Sequence, residues 1–314
     1  MKKPSATPEP LRIRSVMVPL DGSPFAEQAL PWAIAIARKA RARVRLAMVH
    51  QLPSPPPLDE ATGRLYTKVE LALRKSQREY LHRTASRIKA EEPIQTATAM
   101  LQGVPAPALG RYAGEVGVDL VIMTTHGRSG MQRAWLGSVA DQLVRSLEIP
   151  MLLIRPKEGG APTAGVEQIL VPLDGSRRAE AVLPAALAMA SIFGARLALL
   201  QAVYPVMIMT DPPTSFPTGF DEQLTAIQRR EAQDYLDGLV EQLTGAGAQA
   251  SGAAVLGGGA FDTIQAAAHE RGTGMVALAT HGRGGLRRMV LGSVADKLVR
   301  AGELPVLVIR PRGR

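Results

Sequence analysis

The sequence predicts an α/β protein: two tandem open parallel five-stranded sheets with helices on both faces. Two observations carry this. The chain writes itself twice in the same order: "VMVPLDGSPFAEQALP" (16–31) returns as "ILVPLDGSRRAEAVLP" (169–184), "THGRSGMQRAWLGSVADQLVR" (125–145) as "THGRGGLRRMVLGSVADKLVR" (280–300), and "IPMLLIRP" (149–156) as "LPVLVIRP" (304–311). Within each copy, short apolar runs alternate with segments of helical period, the pattern of a parallel sheet whose crossovers are helices. A joint rich in Gly, Pro and Ala, "KEGGAPTAG" (157–165), separates the copies and predicts domains 1–157 and 158–314.

In the first copy "SVMVPL" is short and apolar, hence a buried strand. "SPFAEQALPWAIAIARKA" opens with Ser23 as N-cap and Pro24 at the first helical position, and reads as one helix. "VRLAMVH" is a second strand. The Pro-rich "LPSPPPLD" after it reads as a surface loop, as does 205–217 in the second copy. The charged stretch 60–90 is a long helix, read most simply as a solvated face. "IQTATAML", "VDLVIMT" and "PMLLIR" are the remaining strands, with "PALGRYAGEV" and "SVADQLVRSL" as helices between them.

Composition narrows the function classes. With 46% hydrophobic and 21% charged residues the chain is globular in character. The absence of cysteine excludes disulfides, thiolate metal sites and cysteine nucleophiles. "MKKPSATPEPLRIR" lacks the apolar core of a signal peptide, and the longest apolar stretch, around Val182–Ala195, is too short to span a bilayer; a cytoplasmic protein is expected. The formal charge of +9 invites acidic partners, but the basic residues are scattered apart from "RKARARVR" (38–45), where a helix ends. Aromatic residues make up 4% of the chain, which is poor for base stacking, so neither nucleic acid nor membrane is expected as a partner.

In folds of this type ligands sit outside the carboxyl ends of the strands, where strand order reverses. The loops after the first and fourth strands, "DGS" and "THGRSG", are the ones in question. Gly127 follows a strand-end histidine and can turn successive N–H groups into one concavity that suits an anion. Nine residues later Gly137 and Ser138 precede a helix, whose free N–H groups and dipole attract phosphate. The competing reading makes "SVAD" a capping box, with Ser138 capping and Asp141 reciprocating. Gly282, Gly292 and Ser293 repeat the arrangement. Asp21 and Asp174, at the ends of the first strands, either bond a ribose hydroxyl or purine amine or cap the next turn. His126 and His281 have no companion at metal-ligand or nucleophile spacing and read as loop-ordering groups. No catalytic or metal-binding residue is assigned, and the absence of a Gly-Lys pair excludes a Walker A loop.

Together "VPLDGS", "VDLVIMTTHGR", "LGSVAD" and "PMLLIRP" or "PVLVIRP" identify the chain as resembling a tandem universal stress protein. The resemblance covers nearly the whole chain twice. It implies a Rossmann-like fold of the adenine nucleotide alpha hydrolase type. It also implies ATP, with or without Mg²⁺, bound through a G-2x-G-9x-G-(S/T) pattern. Here that pattern keeps its second glycine (Gly127, Gly282) and its closing pair (Gly137–Ser138, Gly292–Ser293), but Thr124 and Ala279 stand at the first. A side chain there could crowd the nucleotide, the β-branched threonine more than the alanine, since it disfavours positive φ more strongly. The resemblance further implies nucleotide contacts from Leu20, Asp21, Val49, Met123 and Val139, and from Leu173, Asp174, Ala202, Leu278 and Val294. It also implies pairing through the last strand, here an internal pseudo-dimer of the two repeats, with a homodimer of chains open. Gly274 stands where the first copy has Asp119, which weakens that strand start. Three functions follow: a nucleotide-binding stress-response protein that acts by binding, a slow ATPase holding Mg²⁺ on Asp21 or Asp174 and Ser138 or Ser293, and a nucleotide-free interaction protein with closed pockets.

Overall fold

A computed structural model describes residues 8–51, 60–125, 136–157, 165–208, 219–280 and 292–311, with the backbone alone for 60–63. Two units result, Arg12–Ala164 and Gly165–Arg314, the second joined by the N-terminal Met1–Leu11. Within that second unit the Leu11 N–H donates to the Pro184 carbonyl at 2.9 Å.

The first unit runs β1 (Ser15–Pro19), α1 (Pro24–Glu27), α2 (Leu30–Ala40), β2 (Arg43–His50), α3 (Glu60–Glu91), β3 (Thr96–Gln102), α4 (Pro105–Glu115), β4 (Leu120–Thr124), α5 (Ser138–Ser146) and β5 (Met151–Ile154). Its strands are all parallel in the order β3-β2-β1-β4-β5. Strand order reverses between β1 and β4, so the loops after those two strands emerge side by side. β1, β4 and β5 are buried because helices cover both faces, and Trp32 of α2 is 1% exposed in the core.

The second unit runs β6 (Gln168–Pro172), α6 (Arg177–Glu180), α7 (Leu183–Phe193), β7 (Arg196–Val203), β8 (Val206–Ile208), β9 (Gly219–Asp221), α8 (Glu222–Gly245), β10 (Ala250–Leu256), α9 (Ala260–Glu270), β11 (Met275–Ala279), α10 (Ser293–Ala301) and β12 (Val306–Ile309). Its parallel sheet has the same order, β10-β7-β6-β11-β12. Parallel five-stranded sheets are therefore found in both halves.

Three readings need correction. The first helix is two: α1 stops at Glu27 and α2 begins at Leu30. Pro31 has no N–H for the Glu27 carbonyl, and its ring crowds that oxygen. Pro184 breaks α6 from α7 in the same way. The stretch 205–217 contains β8, which pairs antiparallel with β9. Finally, the long charged helix α3 is solvated on one side only, since Leu81, Ala85 and Ile88 are buried. Among the described residues, no helix is long and apolar enough to cross a membrane.

Candidate functional site

The site is built at the carboxyl edge of each sheet. β1 and β4 are in register at Met17 and Val121, and β1 and β2 at Pro19 and Ala47. Carried forward, this brings Leu20, Asp21, Val49, Met123 and Thr124 to one edge. Leu20 and Met123 are buried, and Val49 is half-buried. Their counterparts Leu173, Asp174, Ala202, Leu278 and Ala279 take the same places in the second sheet, by the matching registers of β6 with β7 and β11.

After β1 the chain turns at Gly22, whose φ of 84° is left-handed, and Gly175 does the same at 75°. Asp21 Oδ1 accepts the Ser23 N–H at 2.9 Å, and the Ser23 hydroxyl accepts the Ala26 N–H at 3.1 Å, capping α1. In the second repeat Asp174 Oδ1 accepts both the N–H and the hydroxyl of Ser176, at 3.0 and 2.6 Å, while Ser176 caps α6. The turn-capping role weighed for these aspartates is thus present in both repeats.

The glycine–serine pair after β4 is a different device from the capping box weighed for it. Gly137 is the N-cap of α5 and Ser138 its first residue, and no side chain caps the helix. Asp141 instead pairs with Arg145, two contacts of 2.9 and 3.0 Å, and Asp296 pairs with Arg300 at 2.8 Å. The reason lies at the strand end. The Gly137 N–H is committed to the Thr125 carbonyl at 2.8 Å, and the Gly292 N–H to Thr280 at 2.8 Å. A Cβ on Gly292 would stand 2.9 Å from that carbonyl oxygen, so only glycine lets the helix start this close to the strand end. The first helical bond runs from Asp141 N–H to the Gly137 carbonyl, so the amides of Ser138, Val139 and Ala140 open the helix. Ser138 and Ser293 are exposed, and Val139 and Val294 half-buried, beside these amides.

Thr124 and Ala279 end β4 and β11 in strand conformation. Among the described residues Arg41 alone is a non-glycine with positive φ, so neither position requires a glycine backbone. Thr124 is 5% exposed, whereas Ala279 is half-exposed. His126, Gly127 and Arg128, with His281, Gly282 and Arg283, lie outside the described residues. Among the described residues no group of three His, Asp or Glu side chains could hold a metal ion.

One recurring contact has no part in the sequence reading. The Tyr80 hydroxyl of α3 donates to Glu27 Oε1 at 2.9 Å, and Tyr235 of α8 donates to Glu180 at 3.0 Å. Each bond fastens a long helix to the short one behind the aspartate turn. Burial, then the hydrogen bond to Glu27, pushes the Tyr80 hydroxyl far above the ordinary tyrosine range, and the Asp21 charge adds to the shift. Arg87 bonds Glu27 Oε2 at 2.8 Å, and that bond raises its own pKa further. The signal is in the sequence: Glu27 and Tyr80 recur as Glu180 and Tyr235.

Comparison with known proteins accords with this architecture. The universal stress protein family matches twice, over residues 12–155 and 165–310. Universal stress protein Rv2005c of Mycobacterium tuberculosis is 26% identical over 96% of this chain and 99% of its own length. Universal stress protein Rv1996 of the same organism is 28% identical, with 94% of each chain covered. The crystal structure of a universal stress protein from Archaeoglobus fulgidus superposes with a TM-score of 0.69 at 18% identity, covering 94% of this chain and 98% of that one, which shows the shared fold.

Proposed function

The chain belongs to the universal stress protein family, and on that premise we propose that it binds ATP or another adenine nucleotide at the β1/β4 edge of one or both repeats and acts in stress response by binding. One observation carries this reading. In both repeats a helix with no side-chain cap opens beside the strand edge, its leading amides next to an exposed serine. Such a terminus is suited to a phosphate group. In this reading Ser138 and Ser293 donate to the phosphates, Asp21 and Asp174 face the ribose, and Leu20, Val49 and Met123 with their counterparts take the adenine. Any Mg²⁺ would share the phosphates with Ser138 or Ser293.

The buried Thr124 side chain favours a second reading for the first repeat, a pocket closed to nucleotide, because it fills the strand end where Ala279 leaves more room. Titration calorimetry with ATP separates the two. The expected result is binding that Ser293→Ala weakens by ~5- to 10-fold, the loss of one hydrogen bond to a charged group. Thr124→Gly should add or strengthen a second class of site. Absence of ATP affinity in both the wild type and Thr124→Gly would leave the nucleotide-free interaction protein as the function.

A further inference from the structure

The end of the first sheet farthest from the nucleotide edge holds a feature the proposed function does not use. A hollow of about 570 Å³ opens at the amino ends of β1 and β2, and five arginines line it: Arg14, Arg38, Arg41, Arg43 and Arg45. We infer that this hollow is a second anion site, specific to the first repeat, and that its ligand is a compact oligophosphate, a small molecule carrying several phosphate groups in series.

Little of the charge is neutralised. Arg38 pairs with Glu92 at 3.1 Å. Arg43 donates through Nε and Nη2 to the neutral Gln95 Oε1, at 3.3 and 2.9 Å. Arg45 donates from Nε to the Ser15 hydroxyl at 2.9 Å and from Nη2 to the Val116 carbonyl at 3.5 Å. These neutral acceptors orient the guanidinium groups and leave their charge intact. The side chains of Arg14 and Arg41 have no hydrogen-bond or ion-pair partner among the described residues. Asp119 is engaged by the N–H groups of Arg14 and Ser15, at 2.8 and 2.9 Å.

The backbone supports the assignment independently. Arg41 sits at the C-cap of α2 with φ 53°, left-handed, a conformation that L-residues avoid. Gly194 occupies the same cap of α7 at φ 67°. Across the cluster the second repeat replaces Arg14 with Glu167, Arg38 with Ser191, Arg41 with Gly194 and Arg45 with Ala198, and keeps only Arg43, as Arg196. The fold therefore does not need these arginines, and one of them is held where glycine would be relaxed.

The chemistry selects the ligand. Planar guanidinium forks match phosphate oxygens two at a time. The volume lies within the range of small-molecule sites. The lining holds no aromatic ring, only Ala37, Ala42, Pro93 and Ile94 between the polar groups, so it offers no platform for a base. This disfavours single-stranded nucleic acid and places recognition on the phosphates.

Tripolyphosphate titrated into the full chain tests the site by calorimetry. In the chain carrying Ser138→Ala plus Ser293→Ala, which weakens the nucleotide edges, one molecule should still bind per chain, with the affinity the arginine site has in the wild type. Arg41→Gly and Arg45→Ala, the residues the second repeat uses, should each weaken it by ~10-fold or more, and inorganic sulfate should compete poorly. Thermal melts confirm that both variants fold. Failure of tripolyphosphate to bind, loss confined to the serine variants, equal affinity for sulfate, or arginine-dependent binding of single-stranded RNA without tripolyphosphate binding would each overturn the assignment.

Discussion

The two repeats reach one backbone by different routes, and the differences separate what the fold requires from what is added to it. At the start of the fourth strand the first repeat uses Asp119, whose Oδ2 accepts the N–H groups of Arg14 and Ser15 at 2.8 and 2.9 Å. The second has Gly274, and there the chains close together instead: a Cβ would meet Val166 Cα at 3.0 Å. The strand pairing survives both solutions, with Asp119 N–H bonded to the Ser15 carbonyl and Gly274 N–H to Gln168. Where Arg87 adds a second bond to Glu27, the second repeat has Gln242, whose Oε1 is buried without a partner. What stays constant is the aspartate turn, the tyrosine–glutamate bond and the glycine at the last helix.

That last constant yields the largest expected effect. Gly292→Ala places a Cβ 2.9 Å from the Thr280 carbonyl oxygen, a backbone atom that no side-chain rotation can move. The strand end or α10 must shift, and overpacking of this kind costs about 2–3 kcal/mol. Urea denaturation should show the loss as a lower midpoint at unchanged slope. Gly137→Ala should cost the same, since its N–H is held by Thr125 at an identical 2.8 Å. A tolerated alanine at either position would mean that the glycine serves a ligand and not its own chain, and would strengthen the nucleotide reading.

The elements that the sequence shows plainly are those whose cause is local. β1, β2 and β4 are apolar runs, and Ser23 with Pro24 marks a helix start by cap chemistry confined to four residues. Pro31 misled because a proline fits the first turn of a helix as well as it breaks one, and only the position of α2 decides between them. Ser138 carried two readings for a related reason: whether it caps depends on where the Gly137 N–H goes, and its acceptor is twelve residues earlier in sequence, on Thr125. The three-residue strands β8 and β9 carry too little period to read. The Arg38–Arg45 run was visible as charge, but a hollow needs Arg14, just before β1, and the Pro93–Gln95 segment ahead of β3 brought alongside.

An intermediate effect tests the tyrosine latch. Tyr80→Phe removes the hydrogen bond to Glu27 while Arg87 still holds that carboxylate, and should cost about 1–2 kcal/mol. The sign of its pH dependence follows from the raised pKa of Tyr80. The folded state binds this proton more tightly than the unfolded chain, so the contribution is complete below about pH 10 and is lost as pH rises through the folded value. Alkaline urea titrations should therefore show a stability decline in the wild type that is shallower in Tyr80→Phe. Glu180 lacks an arginine among its described partners, so Tyr235→Phe should weaken the second repeat at least as much. A smaller loss there would make Arg87, and not the tyrosine, the principal tie.

The smallest effect has the opposite sign and bears on whether the arginines of the first repeat serve the fold. Arg41 is held left-handed, at a cost of roughly 1–2 kcal/mol for an L-residue. Glycine removes that strain but returns freedom to the unfolded chain, worth about 0.4–1 kcal/mol against folding. Arg41→Gly should thus stabilise by about 0.5 kcal/mol, and Gly194→Arg should destabilise by a similar amount. The cap hydrogen bonds are the same in both repeats, Arg41 N–H to the Ala37 carbonyl and Gly194 N–H to Ala190, so the substitution changes strain and charge and nothing else in the backbone. If Arg41→Gly instead lowers the urea midpoint clearly, the side chain supports its own helix end, and its left-handed placement ceases to speak for a ligand.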